Sequence, residues 1–442
     1  MPRRAIELLS RRNHPQRQAL TEEMHVRQFP TLAAPARVLQ LVVLSGEPQA
    51  EAARHHALDL CRHSGVAAPE PGKFLTVRLP GMDFYWEQHS EFTTYSFIQG
   101  GLFADPFAVP LLRDLPLDWL ADLPGQILRA TQVALLGRDQ PEPAPTELAA
   151  WFRMDELVCC DVLAGEARIW SNFRVHEDGL GRLLIRDQGM VGDGDPSRLV
   201  QRLQELGNYR NMALLGLPVA QRLTPTLTQL EQRLAALSRE ISSGAFRDEQ
   251  LMHQVSHLSA ELASLTADTS YRMSASRAYA QIVSDRLMDL RIARVPGFQT
   301  LLDFTERRLT PAMRTCESFW RRSEELSERA AWAASLLRMR IETALERQNG
   351  DLLASMNRRA HLQLRLQQTV EGLSVIAISY YAVGILGYLA KALAHYLPEF
   401  DPNVTTGLCA PLVLLGAWLL MRRLHRRLER SAQADAQAQS TH

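Results

Sequence analysis

Two stretches of the sequence place histidines at the spacing of metal ligands. The two triples are His55, Asp59 and His63, and His253, His257 and Glu261. Side chains four residues apart share one face of a helix, and two imidazoles so placed can bind one metal ion. Solvated helix faces produce the same spacing, and neither triple has an evident further partner. The sequence therefore offers two candidate sites for a divalent cation, with plain helix surface as the alternative.

A third candidate lies in "TVEGLSVIAISYYAVGILGYLAKAL", residues 369–393. This stretch carries no charge between Glu371 and Lys391, yet serine, tyrosine and glycine recur in it at three- and four-residue spacing. On a helix these positions form one stripe, and largely branched aliphatic residues occupy the other side. The stripe consists of Ser374, Ala377, Tyr381, Gly384, Tyr388, Lys391 and His395.

Three interpretations of this stripe remain open. Small and hydroxyl residues mediate close helix packing in membranes, so the stripe can pack on a second helix or on another copy. It can instead line an oligomeric pore, where tyrosine hydroxyls offer ligands to hydrated ions. It can also belong to a lipid-facing anchor, since tyrosine is common at membrane interfaces. Lys391 would repel cations at a pore mouth unless it points outward or pairs with Glu399 or Asp401.

Composition and motifs exclude several classes of protein. Lys+Arg and Asp+Glu both number 49, so net charge gives no sign of a nucleic-acid partner. The five cysteines include no C-x-x-C pair, which argues against a disulfide framework and fits a reducing compartment. Patterns of hydrolases, zinc proteases and nucleotide-binding loops do not occur in the sequence. We therefore expect neither an enzyme nor a cofactor.

Two apolar stretches near the C-terminal end have the length of membrane spans. Residues 372–390 and 404–421 each approach the ~20 residues that a helix needs to cross a bilayer. Arginines precede the first stretch and follow the second in "RRLHRRLER", whereas the short loop between them holds Glu399 and Asp401. By the positive-inside rule, the long N-terminal part and the C-terminus are cytoplasmic. The first 20 residues contain no apolar segment of a secretory signal.

The first 192 residues are predicted to form a cytosolic head of the α+β class. Eight β-rich runs alternate with helical ones, and the second half of the head contains two hairpin turns, "GE" and "HEDGLG". The helical run "EPQAEAARHHALDLCRHSG" ends on a candidate C-cap, Gly65. The segment "GMVGDGDPSR" is predicted to be the turn into the first stalk helix, with Asp195 or Ser197 as its N-cap.

Residues 193–370 show only helical periodicity and are predicted to form an all-α stalk. Because no proline occurs between Pro311 and Pro398, residues 312–396 can form one helix of roughly 125 Å that becomes the first span. The two-span hairpin covers residues 371–425, and residues 426–442 form a basic and then disordered tail. A rod this long must pack on the preceding helices, on other copies, or on both.

Nearly the whole chain resembles a family of bacterial membrane-anchored proteins of unknown function. The matching stretches include "HPQRQALTEEMHVR", "EFTTYSF", "QRLQELGNYRNMALLGLPVA" and "ALERQNGDLLASMNRRAHLQLRLQQTVEGLSVIAISYYAVGILGYLAKAL". Several of these are long and unusual, which makes the resemblance specific. It implies a place in the membrane and brings no activity with it.

The layout of the chain is also similar to that of the CorA-type magnesium transporters. Those proteins form pentamers with a cytosolic domain, a long stalk helix that becomes the pore-lining span, a short outer loop and a second span. The loop here contains Pro398-Glu399, similar to the Pro-Glu of that family. The family's Gly-Met-Asn motif is replaced by Gly387-Tyr388-Leu389, so magnesium selectivity does not follow from the likeness.

The sequence therefore predicts a protein of the bacterial inner membrane that contacts the lipid bilayer and forms a symmetric homo-oligomer. The resemblance to CorA-type proteins implies a pentamer and an ion channel or transporter whose ion is not assigned. The alternative is a non-transporting membrane scaffold whose cytosolic domain recruits a protein or lipid partner. Oligomeric mass separates the two, because a pore with two spans per chain needs several copies around an axis.

Overall fold

The computed structural model describes residues 12–18, 20–21, 30–68, 72–108, 110–190, 196–244, 247–394 and 401–439. Contacts divide the chain into two compact units, unit 1 (Met1–Ser335) and unit 2 (Leu336–His442). The predicted head and most of the predicted stalk thus belong to one unit. The predicted boundary at residues 192/193 lies outside the described residues.

Unit 1 is built around one mixed β-sheet. Its strands in the described chain are β1 (Ala36–Leu44), β2 (Phe74–Leu79), β3 (Met82–Gln88), β4 (Phe92–Gly100), β5 (Gln126–Leu136), β6 (Val158–Val162), β7 (Ala167–Ser171), β8 (Gly181–Asp187) and β9 (Ala293–Arg294). β1 to β8 coincide with the eight predicted β-rich runs. The β6–β7 and β7–β8 pairs are the two predicted hairpins.

The strand order is β2-β3-β4-β1-β5-β8-β7-β6-β9. β5 and β8 run parallel, from Thr131 opposite Gly181 to Leu136 opposite Arg186, and the other neighbouring strands described are antiparallel. This parallel pair lies at the middle of the sheet, where the β1–β5 half meets the β6–β8 half.

Helices fill both units. In the described residues they are α1 (Glu47–His63), α2 (Pro110–Arg113), α3 (Leu117–Ala121), α4 (Pro145–Trp151), α5 (Pro196–Leu214), α6 (Gly216–Ser243), α7 (Asp248–Asp289), α8 (Leu301–Ala394) and α9 (Pro402–Gln439). Gly65, with φ +66°, follows the end of α1 in the left-handed conformation predicted for it. The α+β class, the long helix and the second apolar helix are therefore confirmed.

The sheet buries apolar side chains on both faces, and β1 shows how. Val38 and Val42 face a cluster that includes Leu203 and Leu206 of α5, whereas Leu39 and Leu41 face a second cluster that includes α1. Successive side chains of a strand point to opposite faces, so one strand contributes to both cores. α5, predicted as the first stalk helix, is therefore a core helix of the sheet domain.

The expectation of helix alone after Pro196 is wrong in one place. After α7 the chain returns to the sheet, where β9 pairs with β6 through Arg294 opposite Cys160 and Ala293 opposite Asp161. The main-chain N–H of Cys159 donates to the carbonyl of Gln299 at 3.1 Å. Two paired residues carry too little periodicity to predict a strand, because a strand is recognised by alternation over several positions.

Three long helices pack together in unit 1 through aliphatic positions at three- and four-residue spacing. Gly216 of α6 marks their closest approach, because a Cβ there would lie 2.5 Å from Ser276 Oγ of α7 and 3.3 Å from Cys316 Sγ of α8. Arg322 of α8 also donates to Glu231 of α6 at 2.7 Å. α8 therefore begins inside the core of unit 1.

The start of the predicted long helix and the end of the second apolar helix differ from expectation. α8 begins at Leu301 rather than at residue 312, and Pro311 lies inside it, at the end of its third turn. A proline there cannot donate the intrahelical hydrogen bond to the carbonyl of Arg307, but the helix continues past it. α9 continues to Gln439, so most of the tail predicted to be disordered is helical.

Candidate functional site

The polar stripe predicted on the first span lies against the second apolar helix. Tyr381, Gly384, Tyr388 and Lys391 of α8 line a groove of about 720 Å³ in unit 2. Its other wall is formed by residues of α9, namely Asn403, Thr406, Gly407 and Ala410. We call this the tyrosine groove. The structure thus brings four of the seven predicted stripe residues together with small and polar residues of α9.

Small residues allow the two walls to meet at one end of the groove. A Cβ added at Gly387 would contact Thr406 Cγ2 at 3.4 Å, so the helices are close there. Elsewhere the groove is open, and Tyr381 and Tyr388 are 70% and 77% exposed. The rings of Tyr380 and Tyr381 meet edge to face at 5.9 Å. The phenol hydroxyls of unit 2 therefore lie on a surface that another chain or water can reach.

The remaining stripe and loop candidates have local roles or lie outside the description. Ser374 does not line the groove, and its hydroxyl donates to the carbonyl of Val370 at 2.9 Å. Asp401 accepts from the main-chain N–H of Asn403 at 2.9 Å and so caps the start of α9. Glu399 and His395 lie outside the described residues.

Two helices of the described chain are long and apolar enough to cross a membrane, and they contain the two predicted spans. Only 6% of the apolar window in the first and none of that in the second is buried. A core helix of a soluble domain would be mostly buried. These two helices therefore favour association with a membrane.

The candidate metal ligands on α1 are engaged separately. Asp59 accepts from Arg62 Nη1 at 2.6 Å, and His63 Nδ1 donates to the main-chain oxygen of Asp59 at 2.9 Å. Their neighbour His56 is the buried histidine, with its ring stacked on Trp119 at 4.3 Å. Desolvation by burial lowers the pKa of His56. This histidine packs in the core and was not singled out by the sequence.

The candidate ligands on α7 form a surface network. Glu261 contacts His257 Nδ1 at 2.7 Å and Arg233 of α6 at 2.7 Å, and Arg233 holds the pKa of Glu261 below its ordinary value. Across the part of the chain that the structure describes, no three His, Cys, Asp or Glu side chains form a group able to hold a metal ion.

The N-cap prediction at the start of α5 also has a different outcome. Asp195 lies outside the described residues, and Ser197 is already inside the helix. The hydroxyl of Ser197 accepts from the main-chain N–H of Leu32 at 2.6 Å, which ties the segment before β1 to α5. Ser197 is therefore a link between distant segments rather than a cap.

Sequence reasoning missed a cavity in unit 1 that is rich in arginine. The cavity has a volume of about 300 Å³ and lies where β5 and β8 meet α5. Arg129, Arg174, Arg182 and Arg210 line it together with Thr131, Ser171, Phe173 and Asn211. We call it the arginine cavity. No carboxylate is found among its described lining residues.

Two of these arginines are neutralised and two are not. Arg174 is bound in a two-pronged ion pair by Glu156, and Arg182 contacts Asp178 at 3.0 Å. Arg129 instead donates from Nη1 to the neutral side chains of Gln204 at 2.6 Å and Asn208 at 2.8 Å. Arg210 has no carboxylate partner within the described part of the chain.

Arg210 is held by aromatic rings in place of a counter-ion. Its guanidinium carbon lies 4.8 Å from the ring centre of Phe173 and 5.7 Å from that of Phe304. Cation–π contacts of this kind orient a guanidinium without neutralising it. Its Nη1 is buried and has no hydrogen-bond partner within the described protein. One donor of Arg210 is therefore left for another group.

Burial and nearby positive charge both lower the pKa values of Arg129 and Arg210. Desolvation lowers the pKa of Arg129 to about 9, and the nearby charge of Arg210 adds to the shift. Desolvation likewise lowers the pKa of Arg210 to about 10, with a contribution from Arg308. Both side chains still carry their charge at neutral pH, in surroundings that disfavour a cation.

The sequence did contain a signal for this cavity. Arg129 interrupts the otherwise uncharged strand "QILRATQVALL". Arg210 continues the buried series Leu199, Leu203 and Leu206 on α5 at three- and four-residue spacing. A charge on an apolar face is costly, so it identifies a position worth examining.

The structure shows a sheet domain with long helices, of which α8 and α9 are apolar and long enough to cross a membrane. The chain belongs to the family described as "Protein of unknown function (DUF3422)", whose profile matches residues 12–428. This confirms the resemblance to a family of unknown function and lends no support to the likeness to CorA-type proteins. Comparison with curated proteins gives no match.

Proposed function

We propose that this chain is an integral protein of the bacterial inner membrane that forms a symmetric oligomer and passes an ion along the tyrosine groove. The observation that carries the proposal is the groove itself. Tyrosine hydroxyls, a lysine and small residues from two apolar helical segments line it, together with Val383 and Ile385. Polar side chains in a membrane-spanning segment ordinarily face protein or a water-filled path.

Insertion in the membrane is supported by exposure. Leu373, Ile376, Leu389, Leu408 and Leu412 are each at least 60% exposed, in two helices that otherwise lack a cover. A contiguous apolar surface of this size in water is unfavourable and marks a protein or membrane contact. Arginines at 358, 359 and 365 before the first span, and at 422 and 423 after the second, support a cytoplasmic location for both ends.

Assembly is supported by a continuous side of α8 within unit 2. At 3.6 residues per turn, the exposed residues Leu345, Leu352, Met356, Leu366 and Val370 lie within an arc about 80° wide. Tyr381, Gly384 and Tyr388 fall within the same arc. We call this the leucine–tyrosine side, which is interrupted by Gln348, Arg359 and Gln363. An apolar stripe that continues into a small and polar one suits contact between copies around an axis.

Lys391 determines what such a path can pass. Its ammonium lies among the groove residues, and it would raise the barrier for a cation more than for an anion. The proposal therefore assigns no ion. Replacement of Lys391 by glutamine should increase the ratio of cation to anion permeability, because the repelling charge is removed while the length of the side chain is nearly kept.

A non-transporting scaffold is the second candidate, and the arginine cavity favours it. A membrane-tethered domain with unpaired cationic side chains has the means to bind a partner without a pore. Under this alternative the tyrosine groove would serve only helix packing. The two candidates differ in whether purified protein makes a vesicle permeable.

The test begins with the mass of the detergent-purified complex, after subtraction of the detergent. Several copies are expected, whereas a monomer or dimer would leave no room for a central path. Vesicles loaded with potassium chloride or magnesium chloride then report ion flux. Tyr388→Phe and Tyr381→Phe should reduce the flux severalfold, since only a hydroxyl is lost. Trp418→Leu, outside the groove on α9, is the matched aromatic control and should leave it unchanged.

Two results would contradict the proposal. A stable oligomer that passes neither K⁺, Mg²⁺ nor Cl⁻ would contradict ion transport and favour the scaffold. Flux that persists unchanged in both tyrosine variants would remove the groove as the path.

A further inference from the structure

We infer that the arginine cavity of unit 1 is a binding site for a phosphate group carried by a small organic molecule or a lipid headgroup. This inference does not rest on ion transport. It follows from which charges face the cavity, which donors are unused, and which parts of the chain are shaped around them.

The charge of the cavity fits a dianion. After Glu156 and Asp178 have neutralised Arg174 and Arg182, the positive charges of Arg129 and Arg210 remain. A phosphate monoester carries close to two negative charges at neutral pH, whereas a carboxylate carries one. Two unpaired guanidiniums in one cavity are therefore matched by one phosphate group.

The donors are already oriented. Arg129 is fixed by Gln204 and Asn208 of α5, and its other amide contact, Gln40 of β1, lies at 3.4 Å. Arg210 is held by Phe173 and Phe304, and its buried Nη1 has no hydrogen-bond partner within the described protein. Ordering a flexible arginine costs conformational entropy, so prior orientation lowers the cost of binding.

The main chain around the cavity carries features that fit this purpose. A Cβ at Gly207 would lie 2.7 Å from the guanidinium carbon of Arg129, so only glycine leaves room for that side chain. Phe173 has φ +50°, a conformation that an aromatic residue seldom adopts. The hydroxyl of Ser171 accepts from the main-chain N–H of Phe173 at 3.1 Å and holds this turn. Strained residues of this kind cluster at binding sites.

A second cavity adjoins the first and extends the site. It has a volume of about 340 Å³ and shares Phe173, Arg174, Arg210 and Asn211 with the arginine cavity. Arg308 of α8 lines it with Phe304 and Leu309. The guanidinium of Arg210 thus faces two adjoining spaces, one for the phosphate and one for the group that carries it. Glu156, Asn172 and Thr305 also line the second space, so its mixed polar and aromatic walls fit a polar organic substituent.

The experiment uses the full chain in detergent and two kinds of probe. Phenyl phosphate represents a free phosphate monoester, and vesicles of phosphatidylcholine with or without phosphatidic acid represent a lipid headgroup. Saturable binding is followed by calorimetry for phenyl phosphate and by co-sedimentation for vesicles. Whichever probe binds the unaltered chain, Arg210→Gln should weaken its binding about tenfold to a hundredfold, since a charge-assisted hydrogen bond and its charge are removed.

Three further variants make the result specific. Arg210→Lys keeps the charge and loses the planar fork, so partial recovery is expected. Gly207→Ala keeps every charge and displaces Arg129, and it should weaken binding by a similar factor. Arg321→Gln is the matched control on α8, because Arg321 is an exposed arginine paired with Glu325. It should bind like the unaltered chain.

The outcomes separate cleanly. Binding of phenyl phosphate that depends on Arg210 supports a free phosphate ligand, and dependence seen only with phosphatidic acid vesicles supports a lipid headgroup. Equal binding by the unaltered chain, Arg210→Gln and Arg321→Gln would overturn the inference, as would no binding of either probe. Equal affinity for benzoate and phenyl phosphate would also overturn it, because the match of two charges would then be irrelevant.

Binding should also depend on pH in one direction. The charged groups around Arg129 are Arg210 from α5, Arg174 after β7, Arg182 on β8, and Glu156 and Asp178 at the edge. Arg129 has a pKa of about 9, so its charge is complete at neutral pH and is lost as pH rises through that value. Phenyl phosphate keeps its charge above neutral pH. Its affinity should therefore fall as pH rises through about 9.

Discussion

Two stretches of α8 contain similar residues and meet different surroundings. In residues 301–335, which belong to unit 1, buried positions recur every three or four residues, among them Leu309, Phe319, Leu326 and Ala330. In residues 338–392 of unit 2, the buried residues with described side chains are Ser379 and Ala390. Leucine recurs in both stretches.

The difference shows that an apolar pattern predicts a helix face that needs to be buried, but not the surface that buries it. In unit 1 this face of α8 is buried by α6 and α7, which supply their own aliphatic residues. In unit 2 the leucines and tyrosines of α8 stay exposed, so a bilayer or another copy has to cover them. Substitutions of similar residues at buried and at exposed positions test this difference between the two stretches.

The largest effect is expected from Phe319, which is 1% exposed. Phe319→Ala would remove a ring from the three-helix core and leave a cavity, at a cost of about 3–5 kcal/mol in the free energy of unfolding. Trp332→Ala is the control on the same helix, since Trp332 is 80% exposed and its loss should change stability by less than about 0.5 kcal/mol. Chemical denaturation of unit 1 within the full chain, followed by far-UV circular dichroism, measures both. A similar loss in both variants would mean that Trp332 is covered in solution.

Much of unit 1 could be predicted from local patterns. β1 to β8 were recognised because alternation and β-branched residues are local signals, and Gly65 because a helix end needs a left-handed residue. The position of α5 could not be predicted in this way. Its buried face looks the same whether it packs on a sheet or on another helix, so the contact of α5 with the sheet did not follow from its sequence.

The two candidate sites also differ in how far the sequence could predict them. The tyrosine groove was predicted as a stripe because all its α8 residues belong to one periodic segment. The arginine cavity joins Arg129 of β5 with Arg210 of α5, which are 81 residues apart in the sequence, through a parallel strand pair that local patterns do not specify. Long-range contacts of this kind depend on how the strands and helices are connected. Their only sign in the sequence is a single charged residue within an otherwise apolar segment.

The second effect concerns the leucine–tyrosine side. Leu352→Asp places a charge at a proposed contact between copies, where loss of a buried leucine is worth about 1.5–3 kcal/mol, or roughly 10- to 100-fold in the association constant. Leu364→Asp is the matched control, since both leucines are exposed, at 60% and 56%, and Leu364 lies on another side of the helix. Mass measured across a dilution series should show dissociation for the first variant only. Equal behaviour of the two would place the contact between copies elsewhere.

The smallest effect is expected from the ion pair between α6 and α8. Arg322 contacts Glu231 at 2.7 Å, and the two side chains are 30% and 33% exposed, so solvent screens the pair. Glu231→Gln should lower the free energy of unfolding by about 0.5–1 kcal/mol. Glu325→Gln, which alters an exposed pair with Arg321, is the control and should have a smaller effect.

The contribution of the same ion pair to stability should also depend on pH. Arg322 holds the pKa of Glu231 below its ordinary value, so the folded state binds a proton at this carboxylate less readily than the unfolded state. The stabilisation is therefore complete above the unfolded pKa and is lost as pH falls through the folded pKa. Unfolding measured across this acidic range should be less pH-dependent for Glu231→Gln than for the unaltered chain. Identical pH profiles would show that α8 is held in unit 1 by its apolar face alone, with no contribution from this pair.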